Sequence, residues 1–90
     1  AWFGYFKDGT GAWRGWIWHA EHGWLYPYGT SPAGIWLWHL RMQGWLWTND
    51  GLYPFLWSDP LNTWLWYYEG TGNGAGGWYY NYGAGRAEWL

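Results

Sequence analysis

The sequence predicts an all-β fold, an antiparallel meander of repeated short β-hairpins that is solenoid-like or forms a rolled sheet. Three observations lead there. Tryptophans alternate with single aliphatic residues in Trp16-Ile17-Trp18, Trp36-Leu37-Trp38, Trp45-Leu46-Trp47 and Trp64-Leu65-Trp66. A period of two is that of a strand, whose successive side chains point to opposite faces. Sixteen glycines and four prolines punctuate the chain every few residues, with aromatic and β-branched residues between them, as in short strands joined by turns. Finally, a block repeats: Gly15 to Tyr26 (GWIWHAEHGWLY) returns as Gly34 to Trp47 (GIWLWHLRMQGWLW), and more loosely as Trp78 to Trp89 (WYYNYGAGRAEW). Each block reads as a hairpin, and a unit of about 20 residues is too small to fold without neighbours.

Taken in order, strands are expected at Trp2 to Phe6, Trp13 to His19, Trp24 to Tyr28, Ile35 to His39, Trp45 to Thr48, Tyr53 to Trp57, Trp64 to Tyr68, Trp78 to Tyr82 and Ala87 to Leu90, with no helix. The segment Thr48 to Trp57 (TNDGLYPFLW) departs from the unit. Its Asn49-Asp50-Gly51 is a turn signal, and Pro54 removes a ladder donor, which suits an edge, a bulge or a strand end. Gly70 to Gly77 (GTGNGAGG) reads as a mobile loop; no Lys or helix start follows it, so it is no phosphate cradle.

Ninety residues make one Trp-rich hairpin-repeat domain over residues 1–90, with a limited interior. Fourteen Trp, nine Tyr and three Phe carry more ring surface than that interior can enclose, since each buries on the order of 150–250 Å². Some rings must meet solvent, a ligand or another copy. With no cysteine there is no disulfide framework or thiolate metal site. The net charge is −2, and the four basic residues Lys7, Arg14, Arg41 and Arg86 are scattered, which disfavours nucleic acid as a partner. No apolar run approaches the roughly 18 residues of a spanning helix, and the strands are too short for a transmembrane barrel, so neither a transmembrane segment nor a signal peptide is expected. A first residue of Ala rather than Met suggests a processed or excised segment of something longer.

Alternation sorts the chain into two faces. Trp16, Trp18, Trp24, Tyr26, Trp36, Trp38, Trp45, Trp47, Phe55, Trp57, Trp64, Trp66, Trp78 and Tyr80 share one; Ile17, Leu25, Leu37, Leu46, Leu56, Leu65 and Tyr79 share the other, as a narrow core. The reverse assignment, indoles inside and leucines outside, is open for any single ring but not for all of them. An exposed row of rings suits the apolar C–H faces of pyranose sugars, with Gln43, Asn49, Asn62, Asn73, Asn81 and the tyrosines as polar neighbours. It also suits quaternary ammonium groups, or the same surface of another copy. His19, Glu21 and His22 cluster in one turn, but His39 is the only further ligand candidate and its place follows from the repeat, so a structural role is favoured over a metal site. None of the six carboxylates is visibly paired, and Ser31 and Ser58 lack a nucleophile-elbow context, which argues against an enzyme. No cofactor is implied, and no Asn-x-Ser/Thr glycosylation acceptor is present.

The Gly-Trp starts, the triplets Trp66-Tyr67-Tyr68 and Trp78-Tyr79-Tyr80, and the period near 20 residues resemble bacterial cell-wall-binding repeats of the choline-binding and glucan-binding type. In that family successive hairpins stack into a solenoid and box choline or sugar between their rings; by position, the resemblance implies such a role for Trp24, Trp45, Trp66, Trp78 and Tyr80. The Trp-Leu-Trp doublets and uneven intervals depart from the family pattern. The chain also looks like aromatic-rich terminal modules on surface proteins of some environmental bacteria. The expected function is a non-catalytic module at a bacterial cell surface or outside the cell, whose platform of Trp24, Trp36, Trp38, Trp45, Trp47, Trp64, Trp66, Trp78 and Tyr80 binds carbohydrate of a cell envelope or matrix. The alternative is a self-assembling homo-oligomeric subunit of an extracellular fibre or surface layer. Shallow insertion at a lipid surface is weakened by the lack of basic residues.

Overall fold

A computed structural model describes residues 2–31 and 33–90; Ala1 and Pro32, and with Ala1 the reading of the chain's start, lie outside the described residues. Nine strands form one antiparallel sheet in sequence order: β1 (Phe6–Asp8), β2 (Ile17–His19), β3 (Gly23–Ser31), β4 (Gly34–His39), β5 (Gly44–Thr48), β6 (Phe55–Ser58), β7 (Thr63–Tyr67), β8 (Trp78–Asn81) and β9 (Arg86–Trp89). The only helical element among the described residues is a single 3-10 turn, Gly11–Trp13. The sheet curls without closing: β1 and β9 do not pair, and successive hairpins sit edge to edge.

Four hairpins of one design build this sheet. Reading back from each turn, the closing pair is His19↔Gly23, His39↔Gly44, Ser58↔Thr63 and Asn81↔Arg86. Next comes an outward pair, Trp18↔Trp24, Trp38↔Trp45, Trp57↔Trp64 and Tyr80↔Ala87, and then an inward pair, Ile17↔Leu25, Leu37↔Leu46, Leu56↔Leu65 and Tyr79↔Glu88. Phe55 to Trp66 is therefore a full copy of the unit, and only the connector before it departs from the pattern. The loose copy at Trp78 to Trp89 is the fourth hairpin. The inward residue that closes each first strand caps its turn: His19 Nδ1 accepts from the amides of Glu21 and His22, and His39 Nδ1 from Met42. Ser58 Oγ accepts from Leu61, and Asn81 Oδ1 from Gly83 and Ala84. A turn amide buried without an acceptor costs about 1–3 kcal/mol, which explains a short polar acceptor at every copy of this position.

Alternation decides which face is inside. Ile17, Leu25, Leu37, Leu46, Leu56, Leu65 and Tyr79 are 0–7% exposed, whereas no tryptophan is buried. The reverse assignment, with indoles inside, is excluded. A one-layer sheet buries a face only by curling, and here the turn after β2 reaches across to β7 and β8. His22 bonds the hydroxyl of Tyr79 through Nδ1 at 2.8 Å and that of Tyr53 through Nε2 at 2.9 Å. Two apolar clusters, one of Phe3, Ile17, Leu25 and Leu37 and one of Leu46, Leu56, Leu65, Tyr67 and Tyr79, meet at Tyr53.

Three segments differ from the sequence reading, each for a packing reason. Residues Trp2 to Tyr5 do not form a strand, because Phe3 plugs the interior between His19, His22 and Tyr53 and its carbonyl accepts from His19 Nε2; β1 starts at Phe6. The expected strand from Trp13 is interrupted at Gly15 (φ +90), where the ring of Tyr26 lies against the backbone, so β2 begins at Ile17. Gly70 to Gly77 is not the mobile loop its composition suggested. Gly70 N donates to Glu21 Oε1, Gly72 N to Tyr67 Oη, Gly74 N to the Glu21 carbonyl, and Gly77 pairs with Leu90. A Cβ on Gly72 would lie 2.5 Å from both the Glu21 carbonyl oxygen and Tyr67 Oη, so these glycines serve close approach. Pro54 falls just before β6, at a strand end as its missing donor requires.

Two outcomes follow. Leu65→Ala empties fully buried volume in the inner row and is expected to lower unfolding free energy by about 2–5 kcal/mol in urea titration. Gly72→Ala is expected to unlatch the 70–77 segment, read as faster amide exchange at Gly70, Gly72 and Gly74 while the amides of β4 and β5 stay protected.

Candidate functional site: an outer aromatic face

Because the indoles alternate with core residues, they cover the outer face from β2 to β9. Trp18 meets Trp24, Trp38 meets Trp45, and Trp57 meets Trp64, edge to face at centroid distances of 5.3, 5.5 and 5.6 Å. Phe55 meets Trp66 at 4.6 Å, and Trp78 meets Trp89 at 5.7 Å, in the same manner. Hairpins also touch one another through Tyr28 and Trp45 (5.9 Å) and through Trp47 and Trp64 (6.5 Å).

Shallow clefts open on this face, three of them between β3 and the turn after β8. One of about 530 Å³ is lined by Phe55, Trp66, Tyr68, Tyr80 and Tyr82. A second, about 440 Å³ and wholly apolar, shares Phe55 and Tyr82 and adds Leu52 and Trp64. The third, about 330 Å³, lies between Tyr28, Trp36, Trp45 and Asp59. Of the nine platform residues expected from sequence, Trp36, Trp45, Trp64, Trp66 and Tyr80 line clefts. Trp24 has one ring face covered by Trp13, stacked at 4.3 Å and 7°. Trp38 lies against Trp45, Trp47 lies over Gly34, and Trp78 is paired with Trp89 at the end of the sheet and remains about half exposed. Tyr28, Leu52, Asp59, Tyr68 and Tyr82 complete the clefts. They sit outside the doublets, in strand extensions, turns and connectors, where no repeat signal marks them.

Of the asparagines and the glutamine expected to face a sugar, Gln43 and Asn62 are exposed in turns, and the other three are otherwise engaged. Asn49 Oδ1 accepts from Gly51 and Leu52, Asn73 Oδ1 accepts from Ala75, and Asn81 is buried on the inner face beneath its turn. The polar groups that line the clefts between β3 and β8 are tyrosine hydroxyls and Asp59. One carboxylate that looked unpaired, Glu88, meets Arg86 at 3.3 Å on the exposed edge strand.

The polar cluster around His22 lies inside, away from these clefts. Among the described residues no three His, Cys, Asp or Glu side chains converge as metal ligands do. Burial is the main cause that holds His19, His22 and His39 below the ordinary imidazole range. His22 is pushed well down, with His19, His39 and Arg41 adding repulsion, and His39 falls to about 3, with Arg41 as the second cause. Arg41 gives its guanidinium to the carbonyls of His22, Gly74 and Leu90. Burial also raises Tyr53 and Tyr79, and burial together with the 2.6 Å bond to Glu21 pushes Tyr67 up to about 12. These groups stay neutral and latch the interior. No helix is long and apolar enough to cross a membrane among the described residues. No family model, curated protein or solved structure matches this chain.

The buried imidazoles fix the sign of the acid response. Their folded pKa values lie below the unfolded one, so below about pH 6.5 the unfolded chain binds protons that the folded chain refuses. Stability is therefore full above that pH and falls as pH drops toward the folded values, by up to about 1.4 kcal/mol per pH unit for each such histidine. Urea midpoints measured from pH 7.5 to 4.5 should decline below 6.5. Tyr53→Phe leaves His22 Nε2 without its partner and is expected to cost about 1–3 kcal/mol at pH 7.5.

Proposed function

We propose that the chain is a non-catalytic module acting outside the cell, at a bacterial cell surface or matrix, whose outer aromatic face holds carbohydrate of a cell envelope. One observation supports this most: in a fold that seals its five strand leucines almost completely, all fourteen tryptophans keep part of their surface in solvent, and those in the strands share a single face. A continuous apolar surface on so small a protein marks a binding surface. The cleft of Phe55, Trp66, Tyr68, Tyr80 and Tyr82 joins ring faces to hydroxyls. Pyranose C–H groups pack on the former, and sugar hydroxyls exchange hydrogen bonds with the latter.

Soluble glucans or cell-wall fragments should quench and blue-shift tryptophan emission of a monomer. Trp66→Ala and Tyr80→Ala should each weaken that binding about tenfold, roughly 1.4 kcal/mol, with far-UV circular dichroism unchanged. A broad glycan panel without response overturns the reading.

The open edges β1 and β9 favour a second reading, a structural subunit whose aromatic face is buried between copies. It predicts large particles at micromolar concentration, dispersed by Trp38→Ser with Trp47→Ser. A monodisperse 10.7 kDa species in light scattering removes it.

A further inference from the structure

The cleft between Tyr28, Trp36, Trp45 and Asp59 differs from the two lined by Phe55 in holding a carboxylate residue. Tyr28 lies in the second half of β3, Trp36 is its cross-strand partner on β4, and Trp45 is the second residue of β5. Asp59, in the turn after β6, is brought to them by its backbone: its amide donates to the carbonyl of Trp45 at 3.0 Å. The same turn seats Pro60 directly on Gly44, an approach that any side chain at Gly44 would block. The carboxylate is oriented as well. Trp57 Nε1 donates to Asp59 Oδ1 at 2.8 Å, and among the described residues Oδ2 has no protein partner. Three aromatic residues and Asp59 thus line one cleft of about 330 Å³.

From this arrangement, and resting on the carbohydrate reading above, we infer that the cleft selects a pyranose carrying a free, protonated amine, as in a glucosamine polymer. Aromatic faces attract a cation through their quadrupole and pack against a sugar ring, while the unpaired Oδ2 accepts a hydrogen bond from a primary ammonium. A quaternary ammonium has no N–H to give that oxygen, a neutral sugar brings no charge to it, and an acidic sugar is repelled by it. The chain's net charge of −2 favours the approach of a polycation.

The test compares β-linked glucosamine oligosaccharides with the same oligosaccharides fully N-acetylated, by tryptophan fluorescence and by the indole N–H signals of Trp36 and Trp45. At pH 6.5 the amine form should bind at least tenfold more tightly, and the advantage should vanish at pH 9 as the amine loses its proton. Asp59→Asn retains an acceptor for Trp57 and should abolish the advantage while leaving the acetylated form unaffected; Asp50→Asn, in a different turn, should change neither. If the acetylated oligosaccharide binds and the amine adds nothing, or Asp59→Asn leaves the ratio intact, this inference falls while the carbohydrate reading stands. If neither these nor neutral glycans bind, both fall. Displacement of the amino sugar by tetramethylammonium at concentrations below those needed with free glucosamine assigns the cleft to quaternary cations and overturns the inference.

Discussion

The burial of one face of a single sheet is the constraint on which the rest of the molecule depends. No second layer covers it, so the sheet must bend until the face closes on itself, and the groups that meet in the middle are polar. His22 supplies two ring nitrogens to two tyrosine hydroxyls, one from the connector before β6 and one from β8. Arg41 ties the turn after β4 to the carbonyls of His22, Gly74 and Leu90. These bonds join parts of the chain 31 to 57 residues apart in the case of His22, which strand pairing between neighbours cannot do. A neutral imidazole suits this place, since it can both donate and accept within one plane.

Energetics divides the two faces by role. A fully buried leucine contributes about 1.5–3 kcal/mol through area removed from water, whereas a cross-strand aromatic pair on a half-exposed face adds roughly 0.2–1 kcal/mol. Stability is therefore carried mainly by the inner row and the latch, and the outer rings stay available for other surfaces without undoing the fold. Their edge-to-face contacts nonetheless hold each indole at a set tilt. A ligand meets rings that are already oriented and loses less entropy on binding.

The meander and the division of faces were legible because they follow from a two-residue period and a repeated block, both written locally. Ile17, Leu25, Leu37, Leu46, Leu56, Leu65 and Tyr79 are inside because each separates or flanks aromatic residues in a strand. The third hairpin was harder to see, since Phe55 replaces tryptophan and Ser58 replaces histidine, keeping only an aromatic ring at the one place and a hydrogen-bond acceptor at the other. What the sequence hid depends on distant contacts. Gly70 to Gly77 reads as flexible until Glu21 and Tyr67 are seen against it, and Phe3 reads as a strand residue until the interior needs a plug. Asp59 looks like turn chemistry because its neighbour Trp45 belongs to another hairpin.

The His22 latch also meters the array. A hairpin of this design can in principle be added wherever an edge is open, since each touches chiefly the strands beside it. The latch, however, joins the turn of the first hairpin to β8 of the fourth, and Arg41 of the second reaches Leu90 after the last strand. An inserted unit would push those partners apart along the curve, so the number of hairpins between the latched groups is set by the span of one imidazole and one guanidinium rather than by the repeat itself.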